Sequence, residues 1–497
     1  MNANTYVVVA ALAIAVAWGS SVTGHAQDAS IASSVVQLSV YADPPDLEVP
    51  WQTEGTELYY GSGVIIGGRR ILTNAHVVES AVGIELKRAD GSERFAGKVI
   101  FISHDADLAL VEVEDPRFFD DAPAVPIGEM PKLQQDVVVY GFPIGGVTLS
   151  ITSGIVSRVE LDTYTQSGRK LLSVQIDAAI NEGNSGGPVV SEGTVVGIAM
   201  QGMDDADNVG YMIPSPVIQH FLEDVSDGRY DGFPRLGIDV QDMESDAQRR
   251  AARMAPSATG ALISRVDYGG PSYGTLRPRD VLLAIDGRRI ANDLTVAWPG
   301  VGRVDYELTC QSKQIGDTIS VTILRDGRKL KKTIELTPHT PLVPGRRTTD
   351  WPRYFQFAGL LFQPLSEDLI DKPDAVYPDS LSYALVNNLV TKERREVIIL
   401  TQVLPHAVNR GYQDWGGETV RLVNGVIPRG LKHLASMIDE AHGKWLRIVT
   451  GHGWVLTLDR EAARRANRQI LIRYGISEDR YLGPEPSPAR GRRKPRR

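Results

Sequence analysis

The hexapeptide Gly183-Asn184-Ser185-Gly186-Gly187-Pro188 is the most informative segment of the sequence. A serine hydroxyl is a poor nucleophile at neutral pH and needs a base to accept its proton. Glycine at position 183 permits a positive φ, so the N–H groups of Gly183 and Ser185 can point into one oxyanion hole. Gly186 and Gly187 carry no side chain that would crowd the substrate bond. By itself this turn is weak support for catalysis, because turns rich in Gly and Ser are common.

Two segments upstream supply the partners that such a serine needs. They are Leu72-Thr-Asn-Ala-His76-Val-Val and His104-Asp105-Ala-Asp107-Leu-Ala-Leu. An imidazole is suited to act as the base because its pKa lies near the working pH. A carboxylate beside it would hold its tautomer and stabilise the imidazolium that forms. The order His, Asp, Ser predicts a catalytic site made of His76, Asp105 or Asp107, and Ser185, with the Gly183 and Ser185 amides as its oxyanion hole.

The region around these motifs has the pattern of β-structure. Val36, Leu38 and Val40 alternate with polar residues, and similar short runs broken by Gly, Pro and Asp continue to about residue 218. Many short strands without interleaved long helices indicate an all-β barrel or sandwich. The first amphipathic helix is expected at residues 215–225, where it closes the region.

Two further units follow. Residues 235–337 combine strands, one helix and a hairpin around Asp326-Gly327, a strong turn signal. Residues 354–481 repeat part of this pattern and are interpreted as a diverged copy. The Pro-rich residues 338–352 are expected to form a linker. A chain of 497 residues is too long for one hydrophobic core, which agrees with several domains.

The two ends of the chain have their own compositions. The apolar run of residues 6–18 is followed by small residues up to Ala26, which predicts a signal peptide at residues 1–26 and a periplasmic or secreted protein. Residues 484–497 form a basic tail that is expected to be disordered. The net charge of −8 gives no reason to expect nucleic-acid binding. No cofactor or metal is expected, because the histidines lack the spacing of metal ligands.

The three motifs together resemble the signatures of the HtrA/Deg family (DegP-like) of chymotrypsin-fold serine proteases. The resemblance implies two six-stranded β-barrels with the site between them, and it selects Asp107 over Asp105 as the acid. It also implies ATP-independent endoproteolysis of unfolded or damaged proteins, as in envelope quality control, by a homo-oligomer such as a trimer or a multiple of trimers.

The resemblance also divides the chain into domains. It implies a mostly β chain: a chymotrypsin-like protease domain at 27–232, a PDZ domain at 233–340, and a second, diverged PDZ-like α+β domain at 353–483. PDZ domains bind peptide C-termini as an added strand, with a loop of N–H groups gripping the carboxylate. Arg235, Leu236, Gly237 and Ile238 stand where that loop belongs. In the third unit Phe357-Ala-Gly-Leu-Leu-Phe is the candidate loop, but the insert at residues 368–395 departs from the pattern.

The substrate pocket can be predicted only by position. In chymotrypsin-like proteases the residue six before the nucleophile lies at the pocket base, which here is Ala179, with Ile180 beside it. Neither carries a carboxylate, so cleavage after small or medium apolar side chains is expected.

Two rival interpretations remain open at the level of sequence. Gly183-x-Ser185-x-Gly187 also fits the nucleophile turn of an α/β-hydrolase, but that fold places a helix after the serine and its histidine downstream. The second rival is a peptide-binding chaperone or scaffold whose protease site is resting or vestigial.

Overall fold

The computed structural model describes residues 30–143, 148–202, 210–338, 342–345, 350–370, 381 and 390–483. The expected signal peptide and basic tail lie outside these residues. The chain divides into two compact units. The first contains the residues up to Ala42, Glu57–Gly232 and Trp298–Val304, and the second contains Asp43–Thr56, Phe233–Ala297 and the residues from Asp305 onward.

The first unit begins with a closed barrel in the strand order β1-β2-β3-β6-β5-β4. Its strands are β1 (Val35–Ala42), β2 (Glu57–Ile66), β3 (Arg70–Thr73), β4 (Ala81–Arg88), β5 (Phe95–Ser103) and β6 (Leu108–Val113). The short helix α1 (Ala75–Val78) follows β3. The alternation predicted for β1 holds, since Val36, Leu38 and Val40 are buried in the barrel core.

A second closed barrel follows in the order β10-β11-β12-β9-β8-β7. Its strands are β7 (Asp136–Gly141), β8 (Ser150–Thr163), β9 (Lys170–Ile176), β10 (Pro188–Ser191), β11 (Thr194–Gly202) and β12 (Gly210–Pro214). Helix α2 (Ser215–Asp224) comes after β12, close to its predicted bounds. Two closed six-stranded barrels confirm the prediction of a chymotrypsin-like protease domain.

The second unit contains two PDZ folds, of which the first is built on the order β13-β14-β15-β19-β20. Its elements are β13 (Ile238–Gln241), α3 (Asp246–Ala251), β14 (Ala261–Val266), β15 (Val281–Ile285), β16 (Arg288–Arg289), α4 (Glu307–Gln311), β19 (Thr318–Arg325) and β20 (Arg328–Glu335). Between β16 and α4 in sequence, β17 (Thr295–Trp298) and β18 (Gly302–Asp305) form a separate two-stranded sheet, whose residues Trp298–Val304 are grouped with the first unit. The predicted Asp326-Gly327 hairpin joins β19 and β20. Strand β13 lies at the edge of this sheet.

The second PDZ fold is a seven-stranded sheet in the order β26-β25-β24-β23-β22-β21-β27. Its elements are β21 (Tyr354–Phe357), β22 (Leu360–Pro364), α5 (Glu367–Ile370), β23 (Ile398–Val403), β24 (Glu418–Val423), α6 (Leu431–Asp439), β25 (Trp445–Thr450), β26 (Val455–Asp459), α7 (Arg460–Arg473) and β27 (Arg480–Tyr481). Phe355, Phe362 and Leu446 are fully buried in its core. Each such side chain contributes about 2 kcal/mol by leaving water.

The segment Asp43–Thr56, which connects β1 and β2 in sequence, packs within the second unit. The Trp51 ring meets the Tyr354 ring edge-on, with their centroids 5.8 Å apart. The Gln363 side chain donates a 3.1 Å hydrogen bond to the carbonyl oxygen of Leu47. Leu342 and Val343, in the stretch expected to be a linker, are also buried in this unit.

Candidate active site

His76 and Asp107 are neighbours because β3 and β6 pair antiparallel. Thr73 at the end of β3 lies opposite Ala109 near the start of β6, so the residues just beyond them meet. Asp107 Oδ2 lies 2.8 Å from His76 Nδ1. Asp107 Oδ1 also accepts the backbone N–H of His76 at 2.9 Å. The carboxylate therefore holds both the ring and the main chain of the histidine.

Asp107 is fully buried, and its backbone is in the left-handed region at φ 51°. That region costs most side chains about 1–2 kcal/mol, although Asp tolerates it better than most residues. The Asn74 side chain donates a 2.8 Å hydrogen bond to the Asp107 carbonyl. The acid is thus held by main-chain and side-chain contacts on both sides.

The environment raises the pKa of His76 above its ordinary value of 6.5. Burial alone would lower this pKa, because it disfavours the imidazolium. The charge of Asp107 and its hydrogen bond act in the opposite direction and outweigh burial, with a smaller contribution from Glu79. The imidazole is therefore a stronger base than a free histidine.

Two glycines in the turn around Ser185 have positive φ, as the prediction for Gly183 requires. Gly183 has φ 92° and Gly186 has φ 83°. The Asn184 N–H donates to Asn181 O at 2.9 Å, and the Gly186 N–H donates to Ala199 O at 3.0 Å. Among the described residues, the N–H groups of Gly183 and Ser185 have no acceptor. These two amides are therefore available to a negatively charged oxygen.

Ser62 on β2 anchors this turn to the first barrel. Its hydroxyl donates to Gly183 O at 2.7 Å and accepts the N–H of Phe142 at 2.8 Å. Its backbone N–H donates to Ser185 O at 2.9 Å. Thr73 Oγ1 in turn donates to Ser62 O at 2.7 Å. Ser62 therefore holds the carbonyls of Gly183 and Ser185, which fixes the turn on either side of Asn184.

The Ser185 hydroxyl itself donates a 3.0 Å hydrogen bond to the Met200 carbonyl. The structure brings His76 and Asp107 together, but in this conformation the serine hydroxyl is bonded to the main chain rather than to the imidazole. The Ser185 hydroxyl must release the Met200 carbonyl before His76 can accept its proton.

The glycines after Ser185 lie close to atoms of neighbouring strands. A Cβ at Gly186 would overlap the Ser62 carbonyl oxygen and Thr73 Oγ1. A Cβ at Gly187 would overlap the Tyr140 carbonyl oxygen. The absence of a side chain at these positions allows the turn around Ser185 to approach the backbone of β2 and β7.

The predicted pocket residues lie on the loop between β9 and the nucleophile turn. Both Ala179 and Ile180 are half-buried. Ala179 O accepts a 3.0 Å hydrogen bond from Thr152 Oγ1. Ile180 packs against the core of the second barrel. It also lies close to Gly210, since a Cβ added at Gly210 would be 2.8 Å from Ile180 Cδ1. Both side chains are apolar, which agrees with an apolar pocket.

The predicted carboxylate loop precedes the edge strand β13. Gly237 has φ 65°, and Leu236 is buried while Arg235 is exposed. The carbonyls of Leu236 and Gly237 accept hydrogen bonds from the N–H groups of Ser272 (3.2 Å) and Asp267 (2.9 Å). Because β13 lies at the edge of its sheet in the described structure, a further strand can pair with its open side.

In the second PDZ fold the strand equivalent to β13 is β22. It is paired on one side with β21 and on the other with β23, so it has neighbours on both sides.

Asp105 occupies a different environment from Asp107. Its side chain is 40% exposed, with Arg169 Nε 3.7 Å from its carboxylate. Its carbonyl accepts a 3.0 Å hydrogen bond from Ser167 Oγ. Among the described residues it makes no hydrogen bond or ion pair with His76, which supports the choice of Asp107.

Sequence reasoning missed Ser62 and Tyr230, which both contact the loops that carry the candidate catalytic residues. A signal for Ser62 was present, since it stands between two glycines at the start of an apolar strand. Tyr230 lies near the C-terminal end of the predicted protease domain, and its sequence gives no comparable signal.

Comparison with known families defines the class of this protein. A trypsin-like peptidase domain matches residues 61–198, and PDZ domains match residues 234–336 and 343–481. Together with the two barrels, these matches define a serine endopeptidase with two PDZ domains.

Individual relatives narrow the class to a family. Protease Do-like 4, mitochondrial, of Arabidopsis thaliana is 36% identical over 452 residues, covering 91% of this chain and 85% of the relative. Protease Do-like 2, chloroplastic, of the same plant is 36% identical over 461 residues, covering 91% and 75%. The chain belongs to the HtrA/Do-like family of serine proteases. The structure of HtrA-type protease AlgW with tripeptide has the same fold, with a TM-score of 0.50 at 23% identity over 63% of this chain and 97% of that one.

The location expected from the sequence is wrong. The relatives just described are named as mitochondrial and chloroplastic proteins, which contradicts the prediction of a periplasmic or secreted protein. The apolar N-terminal run on which that expectation depended lies outside the described residues. Within the described residues no helix has the length and apolar character needed to cross a membrane.

Proposed function

We propose that the chain cleaves peptide bonds with Ser185 as nucleophile, His76 as general base and Asp107 as the acid that orients the histidine. The observation that carries this proposal is the two-point contact between the buried Asp107 carboxylate and His76. A carboxylate on Nδ1 places the free lone pair of the neutral imidazole on Nε2, where it can accept the serine proton.

The reaction follows from these positions. The Ser185 hydroxyl leaves the Met200 carbonyl and transfers its proton to His76 Nε2 while Oγ bonds to the substrate carbonyl carbon. The developing oxyanion accepts hydrogen bonds from the Gly183 and Ser185 amides. His76 then gives its proton to the leaving amine as the C–N bond breaks, and water removes the acyl group from Ser185 by the same sequence.

We further propose that the substrates are unfolded or damaged proteins, cut without ATP after small or medium apolar side chains. The apolar Ala179 and Ile180 support this preference. A free peptide C-terminus is proposed to bind at the first PDZ domain, beside the edge strand β13 and gripped by Arg235–Ile238. The active form is proposed to be a homo-oligomer such as a trimer, as the family resemblance implies.

The experiment is the digestion of an unfolded protein such as casein by the full chain and by Ser185→Ala. Activity in the parent and its loss in the variant are expected, together with labelling of Ser185 by a fluorophosphonate. Mass spectrometry of the products should place the cuts after Val, Ala or Ile. Equal activity in both proteins would overturn the proposed nucleophile.

The hydrogen bond from Ser185 to the Met200 carbonyl favours one alternative, a peptide-binding scaffold whose protease site is at rest. The same assay separates the two functions. A scaffold would digest no substrate and react with no fluorophosphonate, yet would still bind unfolded protein.

A further inference from the structure

Residues 225–232, by which the protease domain continues toward the first PDZ domain, fold back onto helix α2. Asp224 at the end of that helix is fully buried, and its Oδ2 accepts the N–H groups of both Asp231 and Gly232 at 2.9 Å. These two bonds close the segment into a turn. The ring of Tyr230 meets the ring of Phe221 edge-on, with their centroids 5.9 Å apart. The position of Tyr230 is therefore determined by main-chain and aromatic contacts.

The Tyr230 hydroxyl contacts the loop that carries the candidate catalytic acid. It lies 2.6 Å from Ser103 Oγ, at the end of β5. The same Ser103 Oγ accepts the backbone N–H of Ala106 at 3.2 Å, and Ala106 directly precedes Asp107. Ser103 and Ala106 are both fully buried. One serine hydroxyl thus joins Tyr230 to the acid turn.

We propose that Tyr230 is a positioning residue for Asp107, acting through the Ser103 hydroxyl to hold the turn at residues 103–107 in its catalytic conformation. This inference rests on the proposed function of Asp107. It adds to the catalytic machinery a residue that touches neither substrate nor reacting atoms.

The conformation of Asp107 explains why the turn needs such support. A left-handed backbone at a non-glycine residue persists only where the surroundings hold it. On a second side of the turn Ser167 Oγ donates to the Asp105 carbonyl at 3.0 Å. Tyr230 and Ser167 therefore hold the turn from two different segments of the chain.

The buried phenol remains a hydroxyl over the working pH range. Burial and the nearby charge of Asp105 raise the pKa of Tyr230 well above 10.0, against an opposing effect of the bond to Ser103. The contact is therefore a neutral hydrogen bond.

Residues 225–232, which include Tyr230, are followed closely in sequence by Arg235–Ile238. The segment proposed to position Asp107 is therefore also the one that leads to the proposed carboxylate loop.

The test compares Tyr230→Phe, Ser103→Ala and their double variant with the parent, all in the full chain. Tyr474→Phe is the matched control, since its hydroxyl donates to the Pro405 carbonyl in the second PDZ fold. For Tyr230→Phe we expect kcat to fall about three- to tenfold with KM unchanged, the size expected for one lost hydrogen bond. The acid limb of the pH profile of kcat/KM should also move to lower pH, because a loosened Asp107 raises the pKa of His76 less than a firmly held one does. Glu79 is the other charged group that raises this pKa.

The double variant gives the sharpest readout. If both residues act through one bond, its loss of kcat should be about that of Ser103→Ala alone rather than the product of the two single losses. A purely structural role would lower the melting temperature and leave kcat and the acid limb unchanged, which would overturn the proposal. Failure of the proposed function is distinguished by comparing the parent with Ser185→Ala: the two would then be equally active, or the parent would digest no substrate at all.

Discussion

The hydroxyl of Ser62 donates a hydrogen bond to the Gly183 carbonyl, 2.7 Å away and 121 residues further along the chain. The same residue holds the Ser185 carbonyl through its main-chain N–H. A residue of the first barrel therefore holds the turn that carries the proposed nucleophile of the second.

Ser62→Ala should lower kcat about tenfold or more, because the oxyanion donors lose their alignment. It should also cost about 1–3 kcal/mol of stability, since the Gly183 carbonyl and the Phe142 N–H lose a buried partner. Steady-state kinetics and urea unfolding measure both effects. Ser173→Ala is the control, since its Oγ is buried and lacks a hydrogen-bond partner among the described residues. Loss of stability in Ser62→Ala with an unchanged kcat would contradict the prediction.

The pH dependence of kcat/KM should show an acid limb with its midpoint above 6.5. The reaction needs neutral His76, and the structure raises the pKa of this imidazole above that value. A raised pKa keeps the base protonated to a higher pH, so activity appears later as pH increases. A limb at or below 6.5 would show that Asp107 does not act on His76 as the geometry indicates.

Asp107→Asn should reduce kcat by about 10⁴-fold, because an amide neither stabilises the imidazolium nor holds the required tautomer. Asp105→Asn is the matched control, and its exposed carboxylate predicts a change within about twofold. Assays on a chromogenic apolar peptide measure both variants. The reverse ranking would identify Asp105 as the acid and exclude Asp107.

Gly186→Ala should unfold the nucleophile turn and abolish activity. Its φ is 83°, and an added Cβ would overlap Ser62 O and Thr73 Oγ1. Gly269→Ala is the control, because Gly269 has φ 72° but no atom near its Cβ position. The control should lose only about 1–2 kcal/mol from the left-handed backbone. Similar losses of melting temperature in both variants would show that close approach to β2 is unimportant.

Peptide binding at the first PDZ domain should depend on a free carboxylate. In the Ser185→Ala chain, a fluorescent peptide with a free C-terminus should bind at least about tenfold more tightly than its amidated form, since the loop N–H groups grip the carboxylate. Gly237→Val should remove this difference, because a β-branched residue does not readily adopt φ 65°. Equal affinity of the free and amidated peptides for the Ser185→Ala chain without the Gly237 substitution would contradict the assignment of the loop.

Much of the fold could be predicted from the local sequence. The alternation at Val36, Leu38 and Val40 predicted a half-buried strand, and the Asp326-Gly327 turn predicted its hairpin, because both depend on neighbouring residues alone. In the stretch 338–352, which was expected to be a linker, Leu342 and Val343 are buried in an apolar cluster. The residues they pack against are distant in sequence, so the local pattern did not predict this packing.

The sequence by itself determined which chemistry is available: a serine in a glycine turn, an imidazole and a carboxylate, each recognisable from a few adjacent residues. Only the tertiary structure decided how these groups are held. Ser62, Ser103 and Tyr230 act through hydrogen bonds between segments far apart in the chain, and such contacts leave no periodic trace in the residues that make them. The same is true of the Ser185 hydroxyl, whose present partner, the Met200 carbonyl, is set by how strands pack in the second barrel.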